Sequence, residues 1–347
     1  MYMSIRIVLL TAWLISGTLV HAEEIKPGIL RTPDTRFTNI ADFSFAPNYM
    51  QVGEMRVHYL DEGPKDGEPI LLIHGEPTWS YLFRKMIPIF VGAGYRVIAP
   101  DLVGFGRSDK YVDEGAYSYA MQVQHMSELV AKLDLKRVTF FGQDWGGLIG
   151  LRVVAADPDR FARVVVSNTG LPSASGMRGW IGYPLFKLAV WWEGPMTLED
   201  LQTDITFPRW VAYNYHVDDL PVGRIMSLMG ADEGVVAAYE APFPEQRYKA
   251  ATQIMPYLVP SQLRENESAW QSVFDRWEKP FLVAFTDSDP VSAGGERVFL
   301  ERVPTAQNVT IRGAGHFVQE DAGPELADLM IEFMQGHDLP AEITSRR

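Results

Sequence analysis

The sequence predicts an α/β fold with a mostly parallel central sheet, helices on both faces and an inserted helical segment. Strand-like and helix-like stretches alternate over residues 50–170, and this alternation is typical of βα units in a parallel sheet. Over residues 171–270 aromatic and proline-rich stretches and helix-like runs take its place. A strand-like run returns at Pro280, so we expect the sheet to resume after the insertion.

One strand of the predicted sheet ends in a polar turn. The apolar run Pro69–Ile73 leads directly into His74-Gly75-Glu76-Pro77-Thr78-Trp79, which predicts a strand followed by a tight turn. Residues 99–109 predict the next strand and its glycine-rich loop. We interpret His74 as part of the turn scaffold and not as a catalytic residue.

A second polar turn carries the most informative residue. Residues 142–147 read Gly-Gln-Asp-Trp-Gly-Gly, between a strand-like run at 137–141 and a helix-like run at 148–151. This is the strand-turn-helix setting of a nucleophile elbow, with Asp144 at the position of the nucleophile. An aspartate is already an anion at neutral pH, so it attacks carbon without a general base. The predicted product is an alkyl ester on Asp144.

An ester on an aspartate must be hydrolysed, which requires a base for water and an acid that orients this base. His316 follows a strand-like run at 308–312 and is the predicted base. Asp287 and Asp289 both follow a strand-like run at 280–285, and either can be the acid. The chain order of nucleophile, acid and histidine matches that of a known class of hydrolase fold.

Three motifs resemble those of the haloalkane dehalogenases, a family of the α/β-hydrolase superfamily. They are His-Gly-Glu-Pro-Thr-Trp-Ser-Tyr at 74–81, Gln-Asp-Trp-Gly-Gly at 143–147 and Ala-Gly-His-Phe-Val-Gln-Glu at 314–320. The resemblance extends from about residue 37 to the last helix. It implies an α/β-hydrolase fold with a helical cap, and conversion of a small haloalkane to an alcohol and a halide without a cofactor. It also favours Asp289 as the acid, because the family's acid precedes a Pro-Val pair.

The resemblance also implies roles for four further residues. The backbone N–H groups of Glu76 and Trp145 form the oxyanion hole of this fold, and the Glu76 side chain helps to hold the hydrolytic water. The Trp145 indole, which donates but does not accept hydrogen bonds, suits a departing halide. A second indole comes from the cap. We predict Trp210 for this role, with Phe207 in the same pocket.

Three other cap tryptophans, Trp180, Trp191 and Trp192, compete with Trp210. Trp191 and Trp192 follow an apolar run at 186–190 that predicts packing of a cap helix. Since adjacent residues point to different sides of a helix, at most one of these two faces the site.

Two other functions remain alternatives. An epoxide hydrolase shares the Asp-Trp-Gly elbow and uses cap tyrosines, for which the candidates are Tyr183, Tyr213, Tyr215 and Tyr239; Glu76 argues against it. A non-catalytic binding protein on the same scaffold tends to lose a catalytic residue, whereas this chain retains a candidate for each. A fluoroacetate-type dehalogenase is disfavoured, because that family resembles Gly-x-Asp-Arg-Gly and position 145 is tryptophan.

Composition restricts the partners. The net charge is −13 and no basic run is present after the N-terminus, which argues against nucleic acid or an anionic membrane as partner. A small neutral substrate is compatible. The histidines at 58, 125, 216 and 337 lack metal-ligand spacing, so no metal site is expected.

The N-terminus predicts a secretory signal. Arg6 precedes an apolar run at 7–20, and Val20-His21-Ala22 fits a small-residue cleavage site. The run is short for a membrane-spanning helix, so an uncleaved anchor is the lesser alternative. We therefore expect a periplasmic or secreted protein, with a signal peptide at 1–22, a main domain at 23–170 and 271–347, and a helical cap domain at 171–270.

Overall fold

A computed structural model describes residues 23–203 and 206–346. The predicted signal at 1–22 therefore lies outside the described residues. The strands, in chain order, are β1 (Glu23–Lys26), β2 (Ile29–Arg31), β3 (Asn48–Val52), β4 (Met55–Glu62), β5 (Pro69–Ile73), β6 (Arg96–Pro100), β7 (Lys110–Tyr111), β8 (Val138–Gln143), β9 (Phe161–Ser167), β10 (Phe281–Thr286), β11 (Ala306–Arg312) and β12 (Glu342–Thr344).

Nine of these strands form one sheet in the order β12-β11-β10-β9-β8-β5-β6-β4-β3. The pairs β3/β4 and β4/β6 are antiparallel and every other pair is parallel. The central strands β5 and β8 are buried along their whole length, as expected for strands with helices on both faces. The fold class predicted from the sequence is confirmed.

The helices surround this sheet and fill the insertion. They are α1 (Ile87–Gly92), α2 (Tyr119–Lys132), α3 (Trp145–Ala156), α4 (Gly176–Glu193), α5 (Leu198–Thr203), α6 (Phe207–His216), α7 (Val222–Leu228), α8 (Glu233–Glu240), α9 (Ala250–Leu258), α10 (Leu263–Ser272), α11 (Glu296–Arg302) and α12 (Val318–Gln335). Between β9 and β10 the described residues form helices and loops only. None of the helices in the described ranges is long and apolar enough to cross a membrane.

The sheet topology brings the candidate residues to one edge. Asp144 directly follows β8, Asp289 lies three residues after β10, and His316 lies four residues after β11. Glu76 lies three residues after β5. The carboxyl ends of parallel strands meet at the same edge of a sheet, where ligands of open α/β folds bind.

Two features of the structure did not follow from the sequence. One is the position of two cap tryptophans, and the other is the structure of the first described residues. The predicted packing of Trp191 and Trp192 is wrong, because these side chains are 68% and 81% exposed on α4. Position in an apolar run did not reveal which face the fold would bury. The second feature is the segment 23–47, for which no strand was predicted. This segment contributes β1 and β2, which form a small antiparallel sheet with β7 in the order β1-β2-β7, and its Leu30 joins the main core.

Candidate active site

The turn after β8 has the geometry of a nucleophile elbow. Asp144 has φ 52° and ψ −130°, a conformation that is strained for a residue with a side chain. The Asp144 N–H donates to the Asn168 carbonyl at 3.0 Å, and the Asp144 carbonyl accepts from the Thr169 hydroxyl at 2.7 Å. A Cβ on Gly146 would lie 1.8 Å from the Ile73 carbonyl oxygen. The elbow is therefore closely packed and held from two neighbouring strands.

The Asp144 carboxylate contacts the turn after β5. The Glu76 backbone N–H donates to Oδ1 of Asp144 at 2.8 Å. A Cβ on Gly75 would lie 2.2 Å from this same oxygen, so only glycine permits the approach. Trp145 is the first residue of α3, and its N–H therefore has no partner within the helix. Oδ1 thus occupies the place of an oxyanion.

His316 lies between two carboxylates. Its Nε2 is 3.6 Å from Oδ2 of Asp144 and its Nδ1 is 3.0 Å from Oδ1 of Asp289. Asp289 also accepts from the Val291 N–H at 2.8 Å and from Ser292. Asp287 instead accepts from the Gly313 N–H at 3.0 Å. Of the two acids left open by the sequence, the one that contacts His316 is Asp289.

The two carboxylates control the charge of His316. Burial lowers the pKa of His316, but Asp144 and Asp289 together outweigh burial and raise this pKa to about 10. Burial raises the pKa of Asp289, but the hydrogen bond and the charge of His316, together with the hydrogen bonds from Ser292 and Val291, outweigh burial and leave this pKa below its ordinary value. The imidazole is therefore protonated at neutral pH while Asp144 carries its charge.

Glu76 has an unusual environment for a carboxyl group. The side chain is buried, and its Oε1 has no hydrogen-bond partner among the described residues. Burial, and secondarily the charge of Asp144, raise the pKa of Glu76 well above its ordinary value. This shift favours the protonated form, and a protonated carboxyl group carries an O–H that can donate a hydrogen bond.

An apolar cavity of about 250 Å³ opens above Asp144. Trp210 and Phe207, the two cap residues assigned to the pocket from the sequence, both belong to α6 and line this cavity. Trp145 is buried with its ring edge-on to Tyr119, at 5.2 Å between centroids, and is not among the lining residues. The cavity is lined by Glu76, Pro77, Asp144, Leu198, Leu201, Thr206, Phe207, Trp210, Ile225, Leu228, Met229, Pro290, Val291, His316 and Phe317.

The four cap tyrosines lie elsewhere. No tyrosine is among the described residues that line the cavity. The Tyr239 hydroxyl donates a hydrogen bond to the Glu320 carboxylate at 2.6 Å, and the ring of Tyr215 stacks on the ring of Tyr257. The structure therefore does not bring a tyrosine hydroxyl to the carboxylate of Asp144, as an epoxide hydrolase needs.

Sequence reasoning missed Asn168, which fixes the loop that carries His316. Asn168 is buried, and its Nδ2 donates to the carbonyls of Gly315 and His316, each at 2.9 Å. Its Oδ1 accepts from the Thr286 N–H at 3.0 Å and from the Thr286 hydroxyl at 3.1 Å. One side chain thereby joins the ends of β9, β10 and β11. Asn168 follows a strand and has a φ of 41°, a conformation that asparagine adopts more readily than most residues. An asparagine after a strand is a weak sequence signal for this role.

Gln143 was also missed. Gln143 precedes Asp144. Its Nε2 donates to the His316 carbonyl at 3.1 Å and lies 3.0 Å from Nε2 of His316.

The four histidines excluded as ligands remain separate from the site, and no group of three metal-ligating side chains lies together in the described part of the chain.

Comparisons with known proteins decide the family. A family model described as the alpha/beta hydrolase fold matches residues 68–323. A haloalkane dehalogenase of Psychrobacter cryohalolentis is 44% identical over 328 residues, which cover 90% of this chain and 99% of that protein. The chain belongs to the haloalkane dehalogenase family. Its relatives are hydrolases that act on carbon–halide bonds, and the family recognised in the sequence motifs is confirmed.

Two further comparisons agree. A haloalkane dehalogenase of Mycobacterium marinum is 40% identical over 320 residues, covering 88% of this chain and 99% of that protein. The solved structure of the tetrameric haloalkane dehalogenase DpaA from Paraglaciecola agarilytica is 33% identical, with a TM-score of 0.73, and covers 86% of this chain and 96% of that chain. This dehalogenase chain thus matches its relatives over nearly their whole length.

Proposed function

We propose that this haloalkane dehalogenase converts small haloalkanes to an alcohol and a halide through a covalent ester on Asp144. The observation that carries the proposal is the pair of contacts on one carboxylate. Oδ1 of Asp144 accepts from the Glu76 N–H, and Oδ2 lies 3.6 Å from Nε2 of His316 at the base of an apolar cavity. This arrangement leaves Oδ2 to attack and Oδ1 in the oxyanion hole.

The first step is a displacement at an sp³ carbon. A bond forms between Oδ2 of Asp144 and the carbon, while the carbon–halogen bond breaks and the halide leaves with its electron pair. Trp210 lines the cavity, and we assign its indole N–H as the second donor to the departing halide, supplied by the cap. The other proposed donor is the indole N–H of Trp145, the residue that follows the nucleophile.

The second step hydrolyses the ester. Nε2 of His316 accepts a proton from water, the oxygen of this water attacks Cγ of Asp144, and negative charge develops on Oδ1. The Glu76 N–H stabilises this charge, and Asp289 stabilises the imidazolium. The tetrahedral intermediate then collapses, the bond between Cγ of Asp144 and Oδ2 breaks, and the proton on His316 passes to the leaving alkoxide, which carries Oδ2 away while the oxygen of water remains on Asp144. The products are the alcohol and free Asp144.

Ester formation itself prepares His316 for its role as base. The ester removes the negative charge of Asp144, which is one of two charges that raise the pKa of His316. The pKa must therefore fall in the ester, because burial and Asp289 alone remain. The imidazole becomes neutral at the stage at which a base is needed.

A substrate comparison tests the proposal. Purified enzyme is assayed for halide release from 1,2-dibromoethane and 1-bromobutane, and for diol formation from styrene oxide, with Asp144→Ala as control. We expect halide release that Asp144→Ala abolishes and no diol. Diol without halide would establish the epoxide hydrolase alternative, and binding of either compound without turnover would establish a binding protein.

Three further features belong to the proposal. Residues 171–270 form a helical cap domain, supported by the helices of the insertion and by the position of Phe207 and Trp210 on α6. Residues 1–22 direct export to the periplasm or medium, supported by the sequence alone. The partners are the small haloalkane and the halide product, with neither nucleic acid nor membrane bound after signal removal.

A further inference from the structure

The Gln143 amide lies against the ring of His316, the base of the second step. Nε2 of Gln143 is 3.0 Å from Nε2 of His316 and donates to the His316 carbonyl at 3.1 Å. Gln143 is the last residue of β8 and is completely buried. A buried strand, and not a mobile loop, therefore holds this amide against the base.

The surroundings fix which end of the Gln143 amide faces His316. A carbonyl only accepts hydrogen bonds, so the group 3.1 Å from the His316 carbonyl is the NH₂ end of the amide. At the other end, Oε1 of Gln143 accepts from Nε2 of Gln319 at 3.5 Å. The NH₂ group has two N–H bonds. One donates to the His316 carbonyl, and the second is left for Nε2 of the His316 ring.

An N–H directed at Nε2 of His316 requires a lone pair on this ring nitrogen. A neutral imidazole has one N–H and one acceptor nitrogen, whereas an imidazolium donates from both nitrogens. Nδ1 lies 3.0 Å from Oδ1 of Asp289 and donates to this oxygen only when it carries a proton. The neutral tautomer with its proton on Nδ1 therefore satisfies both neighbours. The imidazolium instead places an N–H against the N–H of Gln143.

Gln143 opposes the carboxylates around His316. The charge of Asp144, whose Oδ2 is 3.6 Å from Nε2, favours the imidazolium. Once Asp144 is an ester this charge is gone, and the contact of 3.0 Å with Gln143 remains at Nε2. The titratable groups that face His316 and its loop are Asp144 in the elbow, Asp289 after β10, Glu76 after β5 and Asp321 on α12.

We propose that Gln143 is a positioning residue that holds His316 as the neutral tautomer with its lone pair on Nε2. The part it plays in the reaction rests on the proposed function, in which His316 takes a proton from water after the ester has formed. The incoming water replaces the Gln143 N–H at Nε2, while the hydrogen bond to the His316 carbonyl continues to hold the amide. Gln143 thus keeps the base in the form that accepts a proton.

Titration of His316 by NMR tests this role without turnover. The background variant is Asp144→Ala, which removes the charge that ester formation also removes. In this background Gln143→Met should raise the pKa of His316 and shift its protonation equilibrium about tenfold toward the imidazolium, because a hydrogen bond to the neutral ring is lost. Gln143→Asn, whose amide is one methylene shorter, should act in the same direction. The His316 signal is identified by its absence from His316→Phe.

The Gln143→Met variant should fold, and a second buried glutamine provides its control. The His316 carbonyl stays paired in this variant, because Nδ2 of Asn168 also donates to it at 2.9 Å. Circular dichroism and melting temperature verify the fold. Gln122 is likewise buried and donates to a backbone carbonyl, that of Val103. Gln122→Met should leave the pKa of His316 unchanged.

Single-turnover kinetics with Asp144 intact give a second readout. In Gln143→Met the hydrolysis of the ester should slow by up to about tenfold below the raised pKa of His316 and recover above it, because only the neutral ring accepts a proton. The halide burst should not change, since His316 acts only in the second step. A merely structural role of Gln143 would slow hydrolysis equally at every pH.

Two results overturn the proposal. One is an unchanged pKa of His316 in folded Gln143→Met, and the other is a loss of ester hydrolysis that is the same at every pH. The titration needs no substrate. A protein that released no halide would therefore refute the proposed function, while the titration would still decide whether Gln143 holds the neutral tautomer.

Discussion

Nε2 of His316 lies 3.6 Å from Oδ2 of Asp144, the oxygen that does not accept the hydrogen bond from Glu76. This relationship links the two chemical steps. While Asp144 is charged, it helps to keep His316 protonated; once Asp144 is an ester, that support is lost. The nucleophile thus controls the protonation of the base.

This link predicts that the rate of ester hydrolysis depends on pH while the rate of halide release does not. The pKa of His316, about 10 in the free enzyme, falls in the ester because the Asp144 charge is gone. Only neutral His316 accepts a proton, so the rate of ester hydrolysis should rise with pH through this lowered pKa and then level off. The halide burst should change little from about pH 6 to about pH 9. Rapid-quench measurement of both steps checks this, and a burst that rises in parallel with hydrolysis would contradict it.

Trp210→Phe should impair halide binding without loss of stability. The change keeps the aromatic ring in the cavity wall and removes its N–H. Loss of one hydrogen bond to a buried anion costs about 1.5–3 kcal/mol, or roughly ten- to a hundredfold in bromide affinity. Bromide quenching of tryptophan fluorescence and turnover measure this loss. Trp192→Phe, outside the cavity, is the control; if it abolishes both while Trp210→Phe has no effect, the assignment is wrong.

Asn168→Asp should slow ester hydrolysis more than halide release. The substitution keeps the shape of the side chain but replaces the amide donor facing the Gly315 and His316 carbonyls with an acceptor oxygen. We expect a loss of about 2–3 kcal/mol in the free energy of unfolding and displacement of His316, which acts only in the second step. Single-turnover kinetics separate the steps, with Asn308→Asp on the exposed side of β11 as control. Equal slowing of both steps would argue against this role.

Expression with the native leader should yield periplasmic protein that begins at Glu23. Cleavage after Ala22 leaves β1, which starts at Glu23, complete. N-terminal sequencing of protein from the native host checks the cleavage site, and a cytosolic protein that retains residues 1–22 would contradict it.

The sequence predicted the fold class and the family because its turns carry rare residue combinations. Glycine is required beside Asp144 by close backbone approach, and an aspartate in the elbow specifies ester chemistry. Each combination is a short contiguous run that can be recognised in the sequence, although the contacts that require its glycines come from a neighbouring strand end. The histidine and its acid could be placed because each follows a recognisable strand, although the choice of Asp289 over Asp287 came from family resemblance.

Features that depend on distant contacts could not be predicted. Asn168 gains its role only when three strand ends meet, and no local pattern specifies this meeting. The exposure of Trp191 and Trp192 depends on which face of α4 packs on α6, and both faces of that helix are apolar. The pairing of β2 with β7 joins segments about 80 residues apart, and hydrophobic periodicity does not report contacts at that separation.

The covalent ester is the central claim, and the mass of a stalled enzyme tests it most directly. His316→Phe removes the base of the second step but leaves Asp144 and the Glu76 N–H in place, so the variant should release one halide per protein and stop. After incubation with 1-bromobutane, intact-protein mass spectrometry should show the added butyl group, and peptide mapping should place it on Asp144. An unmodified His316→Phe protein that binds the substrate, or a butyl group on another residue, would contradict the account.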